Sequence, residues 1–146
     1  MSVVPVQVLL VEDSAADVRL TQEALRDAKV LNELSVARDG EEALDFLHQR
    51  GKFSEAPRPD MVILDLNLPK RDGREVLIDM KGDELLRSIP VAVLTTSSAH
   101  RDVVESYKLG ANCYLTKPVD LQQVLSVVAQ IENFWLGIVR LPGATP

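Results

Sequence analysis

The chain alternates short apolar runs with stretches whose apolar positions recur at helical spacing. Val6–Val11 (Val-Gln-Val-Leu-Leu-Val), Met61–Leu64, Val91–Leu94 and Cys113–Leu115 are brief and mostly apolar, and each leads straight into polar residues. Such runs read as strands buried on both faces, which is the habit of parallel sheets. Leu34–Ala37 is a shorter strand of the same kind. A first helix follows a cap at Asp13 or Ser14, with Val18, Leu20, Ala24, Leu25 and Ala28 on its apolar side. After a turn at Asp39-Gly40, a second helix over Glu41–Arg50 directs Ala43, Leu44, Phe46 and Leu47 inward. The polar, proline-bearing segment Gly51–Asp60 reads as a loop. A third helix runs from about Arg74 to Lys81 and stops near Gly82. A fourth spans Arg101–Leu109 and closes on a left-handed cap at Gly110, and the last runs from near Asp120 to about Val139. Strands and helices in strict alternation predict right-handed βαβ crossovers and an α/β fold. It is a doubly wound, five-stranded parallel sheet flanked by five helices.

At 146 residues the chain suits one domain with a full core. A formal net charge of −6, with no Lys/Arg run longer than Lys70-Arg71, argues against a sequence-independent grip on nucleic acid or on an anionic membrane. No apolar segment is long enough to span a bilayer and no signal peptide is evident, so a cytoplasmic location is expected. Cys113 is the single cysteine, which excludes an internal disulfide framework and a cysteine-cluster metal site.

The strand ends carry the chemistry. Glu12-Asp13, Asp65, Thr95 and Lys117 each stand where an apolar run stops, and a parallel sheet gathers those ends along one edge. Asp65 alone could be a turn residue; its companions argue otherwise. Clustered carboxylates repel one another unless a cation sits among them, and all-oxygen ligands suit Mg²⁺ (or Mn²⁺). With a lysine and a hydroxyl added, the site can hold a transferred phosphoryl group. Asp65 is then the nucleophile, Lys117 neutralises the phosphoryl oxygens and Thr95 donates a hydrogen bond.

Val-Glu-Asp-Ser at the first strand, Ile-Leu-Asp-Leu-Asn-Leu-Pro at the third, Leu-Thr-Thr-Ser at the fourth and Tyr-Leu-Thr-Lys-Pro at the fifth resemble the receiver domain of two-component response regulators. The loop Ala56–Asp60, the run Asp65–Leu77 and the ending Asn133–Pro142 are similar to the single-domain regulators that partner phytochrome histidine kinases. This resemblance implies the flavodoxin-like strand order 2-1-3-4-5. It implies one receiver over 1–146 (core about 5–132) with a C-terminal helix extension over 133–146 and no output domain. The expected partner is a cognate sensor histidine kinase of the phytochrome type, and the expected activity is that of a phosphoacceptor switch, not of a turnover enzyme. By motif position Asp65 is the phosphoacceptor, Asp13 a direct metal ligand, Glu12 a ligand through water, and Asn67 a ligand through its backbone carbonyl. Lys117 precedes Pro118, expected to be joined by a cis peptide. Thr95 and Tyr114 form the switch pair, the ring turning inward on activation, while Asn67 and Ser97 flank the path of hydrolytic water and tune phosphoryl lifetime. Thr96 departs from the family pattern, which has a smaller residue there.

Three other readings compete. A phosphohydrolase of the haloacid dehalogenase type needs a second Asp two positions after its nucleophile, where this chain has Asn67. A flavin carrier needs a Ser/Thr/Gly phosphate loop where Glu12-Asp13-Ser14-Ala15 stands. A receiver-like module that works without phosphorylation is disfavoured by the intact acids and Lys117. His48 and His100 read as surface residues, Cys113 as an inert core thiol, and Asp39 and Asp72 as turn residues. On the last helix, Val127, Phe134 and Leu141 widen the apolar stripe that includes Trp135 beyond what docking on a sheet requires. A homodimer across these residues is the expectation.

Overall fold

The computed structural model describes residues 5–27, 32–68, 72–95, 105, 107–117, 119–120, 122–123 and 126. In chain order these form β1 (Val6–Val11), α1 (Ala15–Asp27), β2 (Asn32–Ala37), α2 (Gly40–Leu47), a 3₁₀ turn (Gly51–Phe53), β3 (Met61–Asp65), α3 (Gly73–Gly82), β4 (Val91–Thr95) and β5 (Cys113–Thr116). All strands pair in parallel, in the order β2-β1-β3-β4-β5. Glu105, Tyr107 and Lys108, and Gln122, Gln123 and Ser126, have helical backbone within the fourth and fifth expected helices, and the other residues of the last helix lie almost wholly outside those described. Among the described residues no helix is long and apolar enough to cross a membrane.

Alternate residues of each inner strand point to opposite faces, so the sheet divides the core in two. Leu9, Val11, Val62, Leu64, Val91 and Val93 pack with Ala43, Leu44, Phe46 and Leu47 of α2 and with Val76, Leu77 and Met80 of α3. Val8, Leu10, Met61, Ile63, Ala92 and Leu94 pack with Ala24 and Leu25 of α1, together with Cys113, Leu115 and Val119. β3 is buried at all its residues and lies between β1 and β4, which sets its terminal carboxylate at the middle of one sheet edge.

Several local expectations change. On α1, Leu20 is exposed and Thr21 is buried in its stead; the Thr21 hydroxyl can afford burial because it donates to the Asp17 carbonyl one turn back. Asp39 and Asp72 cap helices rather than merely turning the chain. Asp39 Oδ1 accepts from the Glu42 N–H at 2.8 Å, and Asp72 shares a reciprocal capping box with Glu75. The second helix ends at Leu47, short of Arg50, because Gln49 takes up a left-handed backbone at φ 54°. Gly110 has φ 105°, as its predicted capping role requires. His48 is not a free surface residue: its Nε2 lies 2.7 Å from Asp79 Oδ1, linking α2 to α3.

Candidate functional site

Ladder hydrogen bonds fix the pocket's backbone before any side chain is considered. The Glu12 N–H donates to the Ala37 carbonyl, extending the β1–β2 ladder one residue past β1, and the Leu66 N–H donates to Leu94 past the end of β3. The chain then turns, and the Gly73 N–H returns to the Leu66 carbonyl at 3.1 Å. Gly73 presses so closely on this segment that an added Cβ would lie 2.7 Å from Leu66 Cα and nearer still to the Asp65 carbonyl oxygen. Only a residue without a side chain fits there. β5 delivers Lys117 from the other side. The Thr116 N–H is held by Gln123 Oε1 at 2.7 Å, and the Gln123 N–H by Asp120 Oδ1 at 2.9 Å.

Asp65 is 2% exposed and held at both oxygens. Its Oδ1 accepts from the Asn67 N–H at 2.9 Å and its Oδ2 from Lys117 Nζ at 2.9 Å. The same ammonium lies 2.7 Å from Glu12 Oε1 and 3.3 Å from Asp17 Oδ2. Glu12 is wholly buried. Its Oε2 accepts from the Ser14 N–H at 3.1 Å, while Oε1, although paired in charge with Lys117, has no partner in hydrogen-bonding geometry. Burial raises the Glu12 carboxyl to about 7 and the neighbouring Asp65 charge adds to the rise, while Lys117 and the Ser14 N–H only partly offset them. For Lys117 burial works towards neutrality, but Glu12 and Asp65 outweigh it and hold the ammonium above its ordinary range. Cys113 is pushed up to about 11 by burial, in keeping with an inert thiol.

Glu12, Asp13 and Asp65 each offer a carboxylate oxygen, and these atoms lie within 4.8 Å of one another. Three hard carboxylate donors converging at the edge, with Asp13 exposed on the solvent side, fit a divalent cation such as Mg²⁺. Thr95 closes β4 opposite Thr116, and its side chain lies outside what is described. Tyr114 is 39% exposed and meets Tyr107 edge-on, centroids 6.3 Å apart. Ser97, Val127, Phe134, Trp135, Leu141 and the Lys117–Pro118 peptide lie outside the described residues. Asp17 is the pocket residue that the sequence reading passed over. One helical turn beyond the acid pair, it faces the same edge, and that spacing was the available signal.

A doubly wound sheet with a buried carboxylate, an acid cluster and a lysine at its carboxyl edge points to the receiver class of signalling domains. The family model described as the response regulator receiver domain matches residues 8–129, and the chain belongs to that family. It is 51% identical over 140 residues to response regulator Rcp1 of Synechocystis sp., spanning 96% of this chain and 95% of that one. The crystal structure of phosphorylated cyanobacterial phytochrome response regulator RcpA is 50% identical, with a TM-score of 0.77 over 91% of this chain and 95% of the other. The bacteriophytochrome response regulator AtBRR is 44% identical, with a TM-score of 0.81 over 91% and 96% of the two chains. The protein is therefore a receiver-domain response regulator related to those of phytochrome signalling.

Proposed function

We propose that the protein accepts a phosphoryl group on Asp65 from a phytochrome-type sensor histidine kinase, in a step that depends on Mg²⁺. The observation that carries this reading is the buried Asp65 carboxylate, bonded to Lys117 at 2.9 Å and clustered with Glu12 and Asp13. In the reaction an Asp65 oxygen forms the new bond to phosphorus as the bond from phosphorus to the donor nitrogen breaks. Asn67 and Lys117 hold the attacking carboxylate in one orientation, so little rotational freedom remains to be lost in the transition state. Lys117, positively charged and only 13% exposed, then faces the developing charge on the phosphoryl oxygens. Glu12, Asp13 and Asp65, with the Asn67 carbonyl, would hold the cation, whose chemistry is to neutralise that same charge. The relative described as the Mn²⁺-bound form of Rcp1 and the phosphorylated RcpA support both parts.

Thr95 and Tyr114 relay the state of Asp65 to the outer face of β5, and the outward Tyr114 ring is the resting position from which it turns inward. Asn67 and Ser97 set the lifetime of the acyl phosphate. The output is a change in a homodimer built on Val127, Phe134, Trp135 and Leu141. Mass spectrometry after incubation with acetyl phosphate and Mg²⁺ tests the core of the proposal. One phosphoryl group is expected on the wild type and none on Asp65→Asn; equal labelling of the two sinks it. Sedimentation of the wild type and of Phe134→Glu tests the dimer.

A further inference from the structure

Among the described residues Lys117 has three carboxylates around it, and the metal-fitting cluster contains two of them. Glu12 and Asp65 contribute to the group whose oxygens converge within 4.8 Å, and Asp17 does not. Asp17 sits in the first turn of α1, its side chain 25% exposed and its Oδ2 3.3 Å from the ammonium. Two helical contacts fix it: its N–H donates to Ser14 Oγ at 3.3 Å and its carbonyl accepts from the Thr21 hydroxyl at 2.9 Å. Thr21 is buried, so this turn is anchored to the core and not free to follow the lysine.

The arrangement creates a competition. Lys117 is placed on two of the carboxylates that a divalent cation needs, and two cations cannot crowd them without repulsion. As the divalent ion takes hold of Glu12 and Asp65, the ammonium loses hold of them. Among the described residues Asp17 is the remaining carboxylate paired with it, and it stands outside the metal-fitting cluster. We propose that Asp17 is a positioning residue that retains Lys117 beside the pocket when the cation occupies Glu12 and Asp65, so that metal and lysine are present together when the phosphoryl group arrives. This rests on the metal-dependent chemistry proposed above. Asp17 touches neither phosphorus nor metal; it acts through the lysine. The Asp17–Lys117 pair is stronger in the metal-loaded protein than in the metal-free one, and by linkage it must favour metal binding by the same factor.

The test is Mn²⁺ affinity, read as free Mn²⁺ by electron paramagnetic resonance, with no phosphodonor present. Asp17→Asn keeps the shape and removes the charge; it should bind Mn²⁺ about five-fold more weakly than wild type, the scale of coupling between residues of one ionic network. Asp17→Glu should recover most of the loss. In a Lys117→Ala background, or Lys117→Gln if the alanine protein is poorly folded, Asp17→Asn should change the affinity less than about two-fold. Wild-type affinity in Asp17→Asn, or an equal loss with and without the lysine, overturns the role, the latter by showing that Asp17 acts as a bulk charge. A wild-type protein that binds no Mn²⁺ defeats the metal-dependent reading itself, and so the two failures are distinguishable.

Discussion

The two edges of the sheet use the same residue types to opposite ends. At the amino edge, Asp60 and Asn112 each stand immediately before a strand, and each clasps the start of the neighbouring one. The Gln7 N–H donates to Asp60 Oδ2 at 2.8 Å, and the Asp60 N–H returns to the Gln7 carbonyl at 2.7 Å. Asn112 repeats the pattern on Val91, with Oδ1 accepting at 2.8 Å and its N–H donating at 2.8 Å. Lys81 donates there to the Arg87 and Ile89 carbonyls, and Arg58 to the Leu85 carbonyl and the Ser88 hydroxyl. These polar groups complete backbone that would otherwise be unpaired. At the carboxyl edge, Glu12, Asp65 and Asp17 crowd one ammonium, so the carboxylates there outnumber the cation that pairs with them. The first edge spends its polar groups on stability. The second keeps charge in reserve for a ligand, as a site under a stability–function trade-off does.

If that contrast holds, changes at the carboxyl edge should respond to metal and those at the amino edge should not. The largest effect belongs to Lys117→Ala, which leaves Glu12 and Asp65 facing each other with no counter-charge. In chelator it should lower unfolding free energy by about 3 kcal/mol, the scale for breaking a buried ion pair. Saturating Mg²⁺ should restore much of it, because the cation takes over neutralisation. Labelling by acetyl phosphate should fall by at least about ten-fold, since a charge-assisted contact worth about 1.5–3 kcal/mol is lost. Denaturant titrations with and without Mg²⁺ decide it; an unchanged midpoint in chelator would mean that the lysine does not neutralise the pocket.

Next comes Gly73→Ala. The new methyl would collide with the Asp65–Leu66 backbone, which is itself held in the sheet. A destabilisation of roughly 2–3 kcal/mol is expected from overpacking, with weakened Mn²⁺ binding because Asp65 must shift. Gly82→Ala has open space around the added methyl and serves as the control.

The third effect is in pH. Glu12 goes from an ordinary 4.5 to about 7 in the folded protein, because burial disfavours its charged form. The sign follows: the folded state holds the proton more tightly. The contribution of Glu12 to stability is therefore complete below about pH 4.5 and is lost as pH rises through about 7. Glu12→Gln carries no such proton. In chelator it should gain on wild type by about 2 kcal/mol between pH 5 and pH 8. With Mg²⁺ present the gain should disappear. A constant offset between the two proteins across that range would contradict the burial argument.

Much of this was legible from residue order because the inner strands are buried on both faces. Val8–Val11 and Met61–Leu64 have almost no polar residues to confuse the pattern, and Asp65, Glu12 and Lys117 stand out where the apolar runs end. What was not legible depends on partners from other elements. An Asp or Asn before an apolar run reads the same whether it turns the chain or clasps a neighbour, so Asp60 and Asn112 passed unnoticed. Gly73 was not singled out in the sequence, because its contact with Asp65 arises only once α3 packs on β3. His48 needed Asp79 from α3, and Asp17 needed Lys117 from beyond β5. Leu20 was misjudged for the converse reason: a neighbouring threonine could satisfy its own hydroxyl locally and take the buried place.

The smallest effect gives the sharpest test of the contrast, because it requires a null result at the distant edge. Asn112 is exposed, but the Val91 N–H that it satisfies belongs to a fully buried residue. In Asn112→Ala the Asn112 N–H still reaches the Val91 carbonyl, so one half of the clasp survives. What is lost is the acceptor for one buried donor, at a strand end where water can partly replace it. That places the cost near the low end for an unsatisfied group, about 1 kcal/mol. Asn112→Asp keeps the acceptor and should cost less. Because β5 also carries Lys117, a loosened start of the strand could in principle reach the pocket. It should not, since Ala92, Val93, Leu94 and Thr95 pair in register with Cys113, Tyr114, Leu115 and Thr116 between the two edges. Mn²⁺ affinity and acetyl-phosphate labelling of Asn112→Ala should therefore match wild type while its denaturation midpoint falls. If affinity falls along with stability, the two edges are coupled through β5 and the division between them fails.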